Sequence, residues 1–240
     1  MPTKIRLQRM IALSSELSRR SAEAAIKRGE VTVNGRVTTE LGTSVDPLRD
    51  KVCLNGSPLF FKARRNYLAF FKPRNVLVTK HDPQSRPTIW DGLKEWKDKL
   101  NSVGRLDFDS DGLLLLTDDG DFLNLLTHPK HEIWKIYRVR VKGEPSAEDL
   151  KRLREGVKLS DGQTLPAKVK RVDKGGLNAL LEISIREGRN RQVRRMCDAI
   201  GYPVIKLRRI AIGPIRLGSL KIGKWRHLKS AEVKAVLGHV

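Results

Sequence analysis

The stretch Val103 to Phe122, VGRLDFDSDGLLLLTDDGDF, decides how the rest of the chain is read. Leu113 to Leu116 form an unbroken apolar run between Gly112 and the turn-forming Asp118, Asp119 and Gly120, which predicts a short buried strand. Asp107 then stands on a loop just ahead of that strand, where a rigid scaffold can hold a side chain that is still reached from outside. Asp118, Asp119 and Asp121 read as turn and cap residues. Asp121 is expected to cap a helix over Phe122 to Thr127 that stops before Pro129. Arg105 is placed to steady Asp107 as a carboxylate.

This acidic island sits in a chain of 240 residues with 48 Lys and Arg against 27 Asp and Glu, a formal net charge of +21. Such an excess calls for a polyanionic partner. The apolar runs are too short to span a bilayer, and the basic residues are not gathered on one amphipathic helix, so nucleic acid is favoured over a membrane surface. Cys53 and Cys197 lie too far apart in sequence to suggest a disulfide framework, and no apolar signal core follows Lys4, Arg6 and Arg9. A reducing, cytoplasmic setting is expected. His128 and His131 flank Pro129, which breaks a helical ligand pair, and no phosphate-cradling or dinucleotide fingerprint occurs, so neither metal nor cofactor is expected.

Working outward, residues 1–57 read as a small unit. Ile5, Met10, Ile11 and Leu13 suggest a short helix, and Ser18 caps a second whose Ala22, Ala25 and Ile26 share a face and which Gly29 ends. Val31 to Val37 form a hairpin about Asn34-Gly35. Residues 58–65 read as a linker and 66–240 as a second domain. In it, Tyr67 to Phe71 is a buried strand, Asn75 a left-handed turn residue, and 74–99 an irregular segment with a short helix near Trp90 to Trp96, a candidate flap over a site. Trp134 to Lys142 alternates with Tyr137, Val139 and Val141 on one face. Ser146 caps a helix closed by Gly156. Strands are expected over Leu165 to Val172, Ala179 to Arg186 and Pro203 to Ile212, and a helix capped by Ser230. Val193, Met196, Cys197 and Ile200 have the spacing of a buried helical stripe, leaving Arg191, Arg194, Arg195 and Asp198 toward solvent or a cleft and making Cys197 a core residue. Helices among many strands give an α+β fold with a mixed, mainly antiparallel sheet.

Four stretches in order then carry a family resemblance: Lys72-Pro73; Gly104-Arg105-Leu106-Asp107 with Gly112 to Thr117 and Asp119-Gly120; Lys135-Ile136-Tyr137; and Glu187 to Arg195. Together they resemble the motifs of pseudouridine synthases, in particular the RsuA-type branch that modifies bacterial ribosomal RNA. Ser18 to Arg20 with Val31 to Gly35 resembles the small RNA-binding module named after ribosomal small-subunit protein four.

The resemblance implies an isomerase that breaks the bond from ribose to nitrogen 1 of uracil and rejoins the sugar to carbon 5, with no cofactor. It implies that Asp107 acts at the sugar, as nucleophile or as base, that Arg194 keeps Asp107 charged, and that Tyr137 stacks on the uracil and takes the final proton. Arg105 supports the loop or grips the flipped strand. Arg6, Arg9, Arg19, Arg20, Lys27 and Arg28, with Arg189, Arg191 and Arg195, are the candidate contacts to RNA. One departure is the pair Ser110-Asp111, where the family has two small hydroxyl residues. A carboxylate there could alter loop hydrogen bonding or repel a phosphate. The substrate is expected to be ribosomal RNA, of the large subunit by the run from Glu187 and the helix from Ser146, and the protein a monomer. Other readings are a synthase for small-subunit RNA, a non-catalytic ribosome-assembly factor of the same fold, and a glycoside hydrolase using two aspartates. The last suits a cationic chain poorly.

Overall fold

A computed structural model describes residues 4–60, 65–173 and 176–238. The chain divides into two compact units, Met1–Arg65 and Asn66–Val240. In the first, β1 (Ile5–Arg6) leads into α1 (Leu7–Ser14) and α2 (Arg19–Lys27), followed by β2 (Val31–Val33), β3 (Arg36–Val37), β4 (Ser44–Val45), β5 (Val52–Leu54) and β6 (Ser57–Pro58). The Ser18 side chain accepts from the Ser21 backbone N–H at 3.1 Å, and Ala22, Ala25 and Ile26 are fully buried against Leu7, Met10 and Ile11. Ile5, expected on the first helix, pairs with Val45 in β1 instead. The small sheet runs β3-β2-β5-β6. Its last strand takes in Pro58, the first residue of the expected linker, because an edge strand tolerates a missing backbone donor. Residues 61–64 of that linker lie outside the described residues.

The second unit is built on a sheet of order β13-β14-β10-β15-β9-β7-β17, with β8 also on β9 and β16 on β15. In chain order these are β7 (Tyr67–Lys72), β8 (Asn101–Val103), β9 (Asp111–Thr117), α3 (Gly120–Thr127), β10 (Lys135–Val141), α4 (Ala147–Glu155), the hairpin β11 (Lys158–Leu159) and β12 (Gly162–Gln163), β13 (Lys168–Arg171), β14 (Leu180–Ile185), α5 (Gln192–Ala199), β15 (Val204–Ile212), β16 (Ile215–Arg216), β17 (Trp225–His227) and α6 (Ser230–Leu237). β15 runs parallel to β9, while β7 on β9 and β10 on both its neighbours are antiparallel. The fold is therefore α+β with the mixed, mainly antiparallel sheet expected. Among the described residues no helix is long and apolar enough to cross a membrane.

The leucine run explains why β9 lies inside. Side chains alternate across a strand, so Leu113 and Leu115 join Phe71, Phe122 and Leu126 on one face, while Leu114 and Leu116 join Leu68, Phe70 and Trp90 on the other. All four are completely buried, each contributing roughly 2 kcal/mol. The second of these cores overturns the flap. Ile89 and Trp90, in a 3-10 turn over Ile89–Gly92, and Leu93, between it and a second over Lys94–Trp96, pack under the sheet, which is where large apolar side chains in a polar segment find burial. A third core lies under β10, β14 and β15, where α5 buries Val193, Met196, Cys197 and Ile200 as the spacing predicts.

Helix ends differ from expectation by a residue or two. Asp119, not Asp121, caps α3, accepting from the Asp121 and Phe122 N–H groups at 2.9 and 3.3 Å. α6 starts at Ser230 with Lys229 as its cap residue. Ser146 and Asp149 form the predicted capping box, with Ser146 Oγ accepting from the Asp149 N–H at 3.1 Å and Asp149 from the Ser146 N–H at 3.0 Å. The strand expected over Leu165 to Val172 contracts to Lys168–Arg171.

Gly112 opens β9 at φ +117°, and a Cβ there would lie 2.2 Å from the Arg209 carbonyl oxygen and 2.6 Å from its nitrogen. Both are backbone atoms of the neighbouring strand, so neither can swing away. Gly112→Ala is expected to destabilise the protein by roughly 2–4 kcal/mol, read as a drop in thermal midpoint. An unchanged midpoint would show that β9 and β15 are not so closely apposed.

Candidate active site

The loop from Gly104 to Ser110 joins β8 to β9, and a buried lysine fixes its shape. Lys72, at the end of β7, has no exposed surface, and its Nζ donates to the carbonyls of Pro73 at 2.9 Å, Asp107 at 3.1 Å and Ser110 at 2.9 Å. Three donors on one ammonium match three carbonyls from two chain segments. Burial pulls the amine down to about 8, against the opposing charges of Asp111, Asp107 and Asp109. The Asn75 N–H donates to the Phe108 carbonyl at 2.7 Å, with Asn75 at φ +59°, the left-handed turn anticipated for it. Arg74 Nε donates to the Asp109 carbonyl at 3.1 Å.

Three aspartates of the loop alternate in sequence and meet different cations. Asp111 is buried and accepts both arms of Arg208, at 2.7 and 3.0 Å, while the guanidinium lies 4.9 Å from the Phe71 ring centroid. The feared phosphate repulsion is thus removed, since this carboxylate is sealed in an ion pair. Asp109 is forked by Arg191 at 3.3 and 3.2 Å and meets Arg194 at 3.2 Å. Burial raises its carboxyl and the two guanidiniums more than offset this, leaving it below the usual range. Asp107 keeps a looser pairing, 3.9 Å from Arg191 Nη1, with its side chain 31% exposed.

The expected partner of Asp107 is therefore corrected. Arg194 is buried and turned to the Asp109 carboxylate, the Ser110 hydroxyl at 3.2 Å and the Asp109 carbonyl at 3.3 Å. Arg191, left-handed at φ +46° at the start of α5, supplies the charge nearest Asp107. Arg105 is exposed, and among the described residues no ion pair joins it to Asp107.

A cleft of about 350 Å³ opens beside Asp107, and its lining brings Arg105, Tyr137, Arg189 and Arg191 together with it. The walls draw apolar residues from two cores, Val103 and Leu126 from one and Ile185, Val193 and Leu207 from the other. Tyr137 is 9% exposed on the buried face of β10. Arg189 bonds the carbonyls of Gly162 at 3.1 Å and Gln163 at 2.6 Å, as well as Glu187 at 3.0 Å, and Arg195 forks Asp161 at 2.9 and 3.0 Å. These two candidate RNA contacts are taken up in anchoring the β11–β12 hairpin. In the first unit, Arg19, Arg20 and Lys27 are exposed on α2, Arg28 is ion-paired to Glu30, Arg6 bonds the Gly42 carbonyl, and Arg9 is half-buried. Cys197 is fully buried, and desolvation pushes its thiol up to about 12, which suits core packing and not nucleophilic chemistry.

Lys135, quoted within a motif, and Arg209 were given no role by the sequence reading. Lys135 stands two residues before Tyr137 on β10 and therefore on the same face, a period-two signal that was available. Arg209, 4% exposed, bonds the Leu113 carbonyl at 2.8 Å and the Arg105 carbonyl at 3.4 Å. Nothing in Leu207-Arg208-Arg209 marks which arginine points inward.

Residues 66–199 match the family model described as RNA pseudouridylate synthase, and residues 5–47 match the S4 domain. A ribosomal large subunit pseudouridine synthase B of Bacillus subtilis (strain 168) is 44% identical over 234 residues, covering 95% of this chain and 94% of that protein. Its namesake from Yersinia pestis is 37% identical over 230 residues, 93% of this chain and 72% of the other. The crystal structure of a pseudouridylate synthase, 31% identical, matches with a TM-score of 0.69 over 97% of this chain and 99% of its own. The chain belongs to the RNA pseudouridylate synthase family, with an S4 domain preceding the synthase domain.

Lys72→Met would strip three buried carbonyls of their shared donor. It is expected to cost about 3 kcal/mol and lower the thermal midpoint by roughly 6–12 °C, with loss of activity exceeding loss of fold. A fully active, equally stable variant would refute its role in shaping the loop.

Proposed function

We propose that this protein converts a uridine of large-subunit ribosomal RNA to pseudouridine, with Asp107 acting at the ribose and no metal or cofactor. The observation that carries the reading is the meeting of Asp107 and Tyr137 in one cleft, with Arg191 3.9 Å from the Asp107 carboxylate. The apolar part of its walls limits the water that would trap an activated sugar. The target base is taken out of its stack, at about a few kcal/mol, and lies against the Tyr137 ring, whose phenol is placed to take the proton from carbon 5. Arg105, exposed at the cleft edge, grips the flipped strand. Both named relatives act, by their names, on the large ribosomal subunit, which favours that substrate here. Arg19, Arg20 and Lys27 of the S4 domain contact phosphates, providing affinity and register but not the choice of base. The protein works as a cytoplasmic monomer, a setting that fits its free Cys53 and Cys197.

Asp107→Asn is expected to reduce pseudouridine formation by roughly 10⁴-fold or more while RNA affinity changes little. The check is mapping of pseudouridines in large-subunit RNA from cells that carry only the variant. Survival of the modification would remove Asp107 from the chemistry, and a missing site in small-subunit RNA instead would reassign the substrate.

Binding should weaken steeply with salt. Each phosphate contact to single-stranded RNA contributes about 0.7 to the slope of log affinity against log salt, so replacing Arg19, Arg20 and Lys27 together with Ala should flatten that slope by about 2. An unaltered slope would place the phosphate contacts elsewhere.

A further inference from the structure

Of the five cations lining the cleft, two are already committed to carboxylates. Arg191 serves Asp109 and Asp107, Arg189 holds Glu187 and the β11–β12 hairpin, and Arg105 is exposed on its loop. Lys135 is different. It is half-buried in the cleft wall, and among the described residues nothing accepts a hydrogen bond or ion pair from its Nζ. Its cross-strand partners are Ile185 and Ile212, both also in the lining. Arg209 stands close enough to repel it, and the Nη2 of that buried guanidinium has no partner either. Two cationic groups without an ion pair thus share one wall, while the acidic residue of the lining, Asp107, lies 3.9 Å from Arg191. Burying a lysine beside an arginine is costly unless an anion arrives there. Burial, then the Arg209 charge, lowers the amine to about 8, so the ammonium is still the majority form at neutral pH.

We infer that Lys135, with Arg209 beside it, is a catalytic electrostatic wall that holds the uracil ring as an anion between its detachment at nitrogen 1 and its reattachment at carbon 5. The assignment rests on the isomerase reading above. When the bond from nitrogen 1 to the sugar breaks, its electron pair stays on the ring, spread over nitrogen 1 and the two carbonyl oxygens. Whether Asp107 attacks the sugar or takes a proton from it, the ring departs with that charge. The ring turns, carbon 5 supplies the pair for the new bond to the same sugar carbon, and the hydrogen on carbon 5 leaves as a proton while nitrogen 1 gains one. Donors fixed where charge develops, in apolar surroundings, act most strongly on that intermediate. The apolar side chains of Ile185 and Ile212 on either side of Lys135 suit a ring better than a hydrated phosphate.

The test uses the full chain with large-subunit ribosomal RNA transcribed with uridine or with 5-fluorouridine, whose fluorine already stabilises the ring anion. Single-turnover rates at saturating RNA are read as carbon-linked product after nuclease digestion; on the fluorinated ring carbon 5 has no proton to lose, so that product keeps its fluorine and takes up water at carbon 6. Lys135→Met and Lys135→Gln are expected to slow the uridine reaction by roughly ten- to a hundredfold, with RNA affinity within about twofold. The deficit should shrink several-fold on 5-fluorouridine, and Lys135→Arg should keep most of the rate. An equal deficit on both RNAs, an unchanged rate, or a loss confined to affinity, which marks a phosphate contact, would each overturn the assignment. Absence of product with the wild-type protein would instead sink the isomerase reading itself.

Discussion

A buried ammonium reading three carbonyls holds the site together. Lys72 has no exposed surface, and its bonds to Pro73, Asp107 and Ser110 tie the end of β7 to both ends of the acidic loop. The charge is tolerated because carbonyl dipoles solvate it and because Asp107, Asp109 and Asp111 surround it. Those aspartates in turn need cations, and the arginines of α5 and β15 provide them. The loop is therefore fixed by charge balance, with the backbone shaped from within and the side chains pinned from outside.

The three carboxylates are graded in consequence. Asp111 is 5% exposed at its side chain and bound at 2.7 Å; Asp109 is 34% exposed and held by two arginines; Asp107, 31% exposed, has an arginine at 3.9 Å. Asp107 is thus the least tightly paired of the three, and the closer pairs on either side hold it in place. The double-sided burial of β9 and the backbone approach at Gly112 keep this arrangement from shifting.

Much of this was legible because it is local or periodic. The Ser18 and Ser146 caps, the Asn34-Gly35 turn, the left-handed Asn75, the four-residue stripe of α5 and the two-faced leucine run all follow from neighbours in sequence. What escaped depends on distance. Asp118 was read as satisfying donors in its own turn, yet its partner is Asn66, which donates from both its N–H and its Nδ2 at 2.8 Å. Arg194 rather than Arg191 was given to Asp107, because the rotation of α5 against a loop 80 residues earlier has no trace in the local pattern. Trp90 was placed on a flap because its polar neighbours hide the pocket that Leu68, Phe70 and Leu114 make for it. Lys135 is the exception, for the alternation that put Tyr137 on the inner face put Lys135 there too.

Charge counted is not charge available. The segment Arg186 to Arg195 looks like the strongest RNA-binding run in the chain. Yet Arg186 pairs with Glu132, Arg189 with Glu187, Arg191 and Arg194 with Asp109, and Arg195 with Asp161. Of these, Arg189 and Arg191 line the cleft, and all five spend their charge on neighbouring carboxylates. Long-range attraction still follows from the net charge of +21, since an ion pair cancels no excess. Short-range contact needs donors with free valence, such as those on the exposed face of α2. Lysine and arginine therefore divide into two populations in this chain, one that makes a place for a carboxylate and one that meets a polyanion. The same composition serves both because carboxylates inside the synthase domain, Asp109 of the acidic loop with Glu132, Asp161 and Glu187, claim the first set.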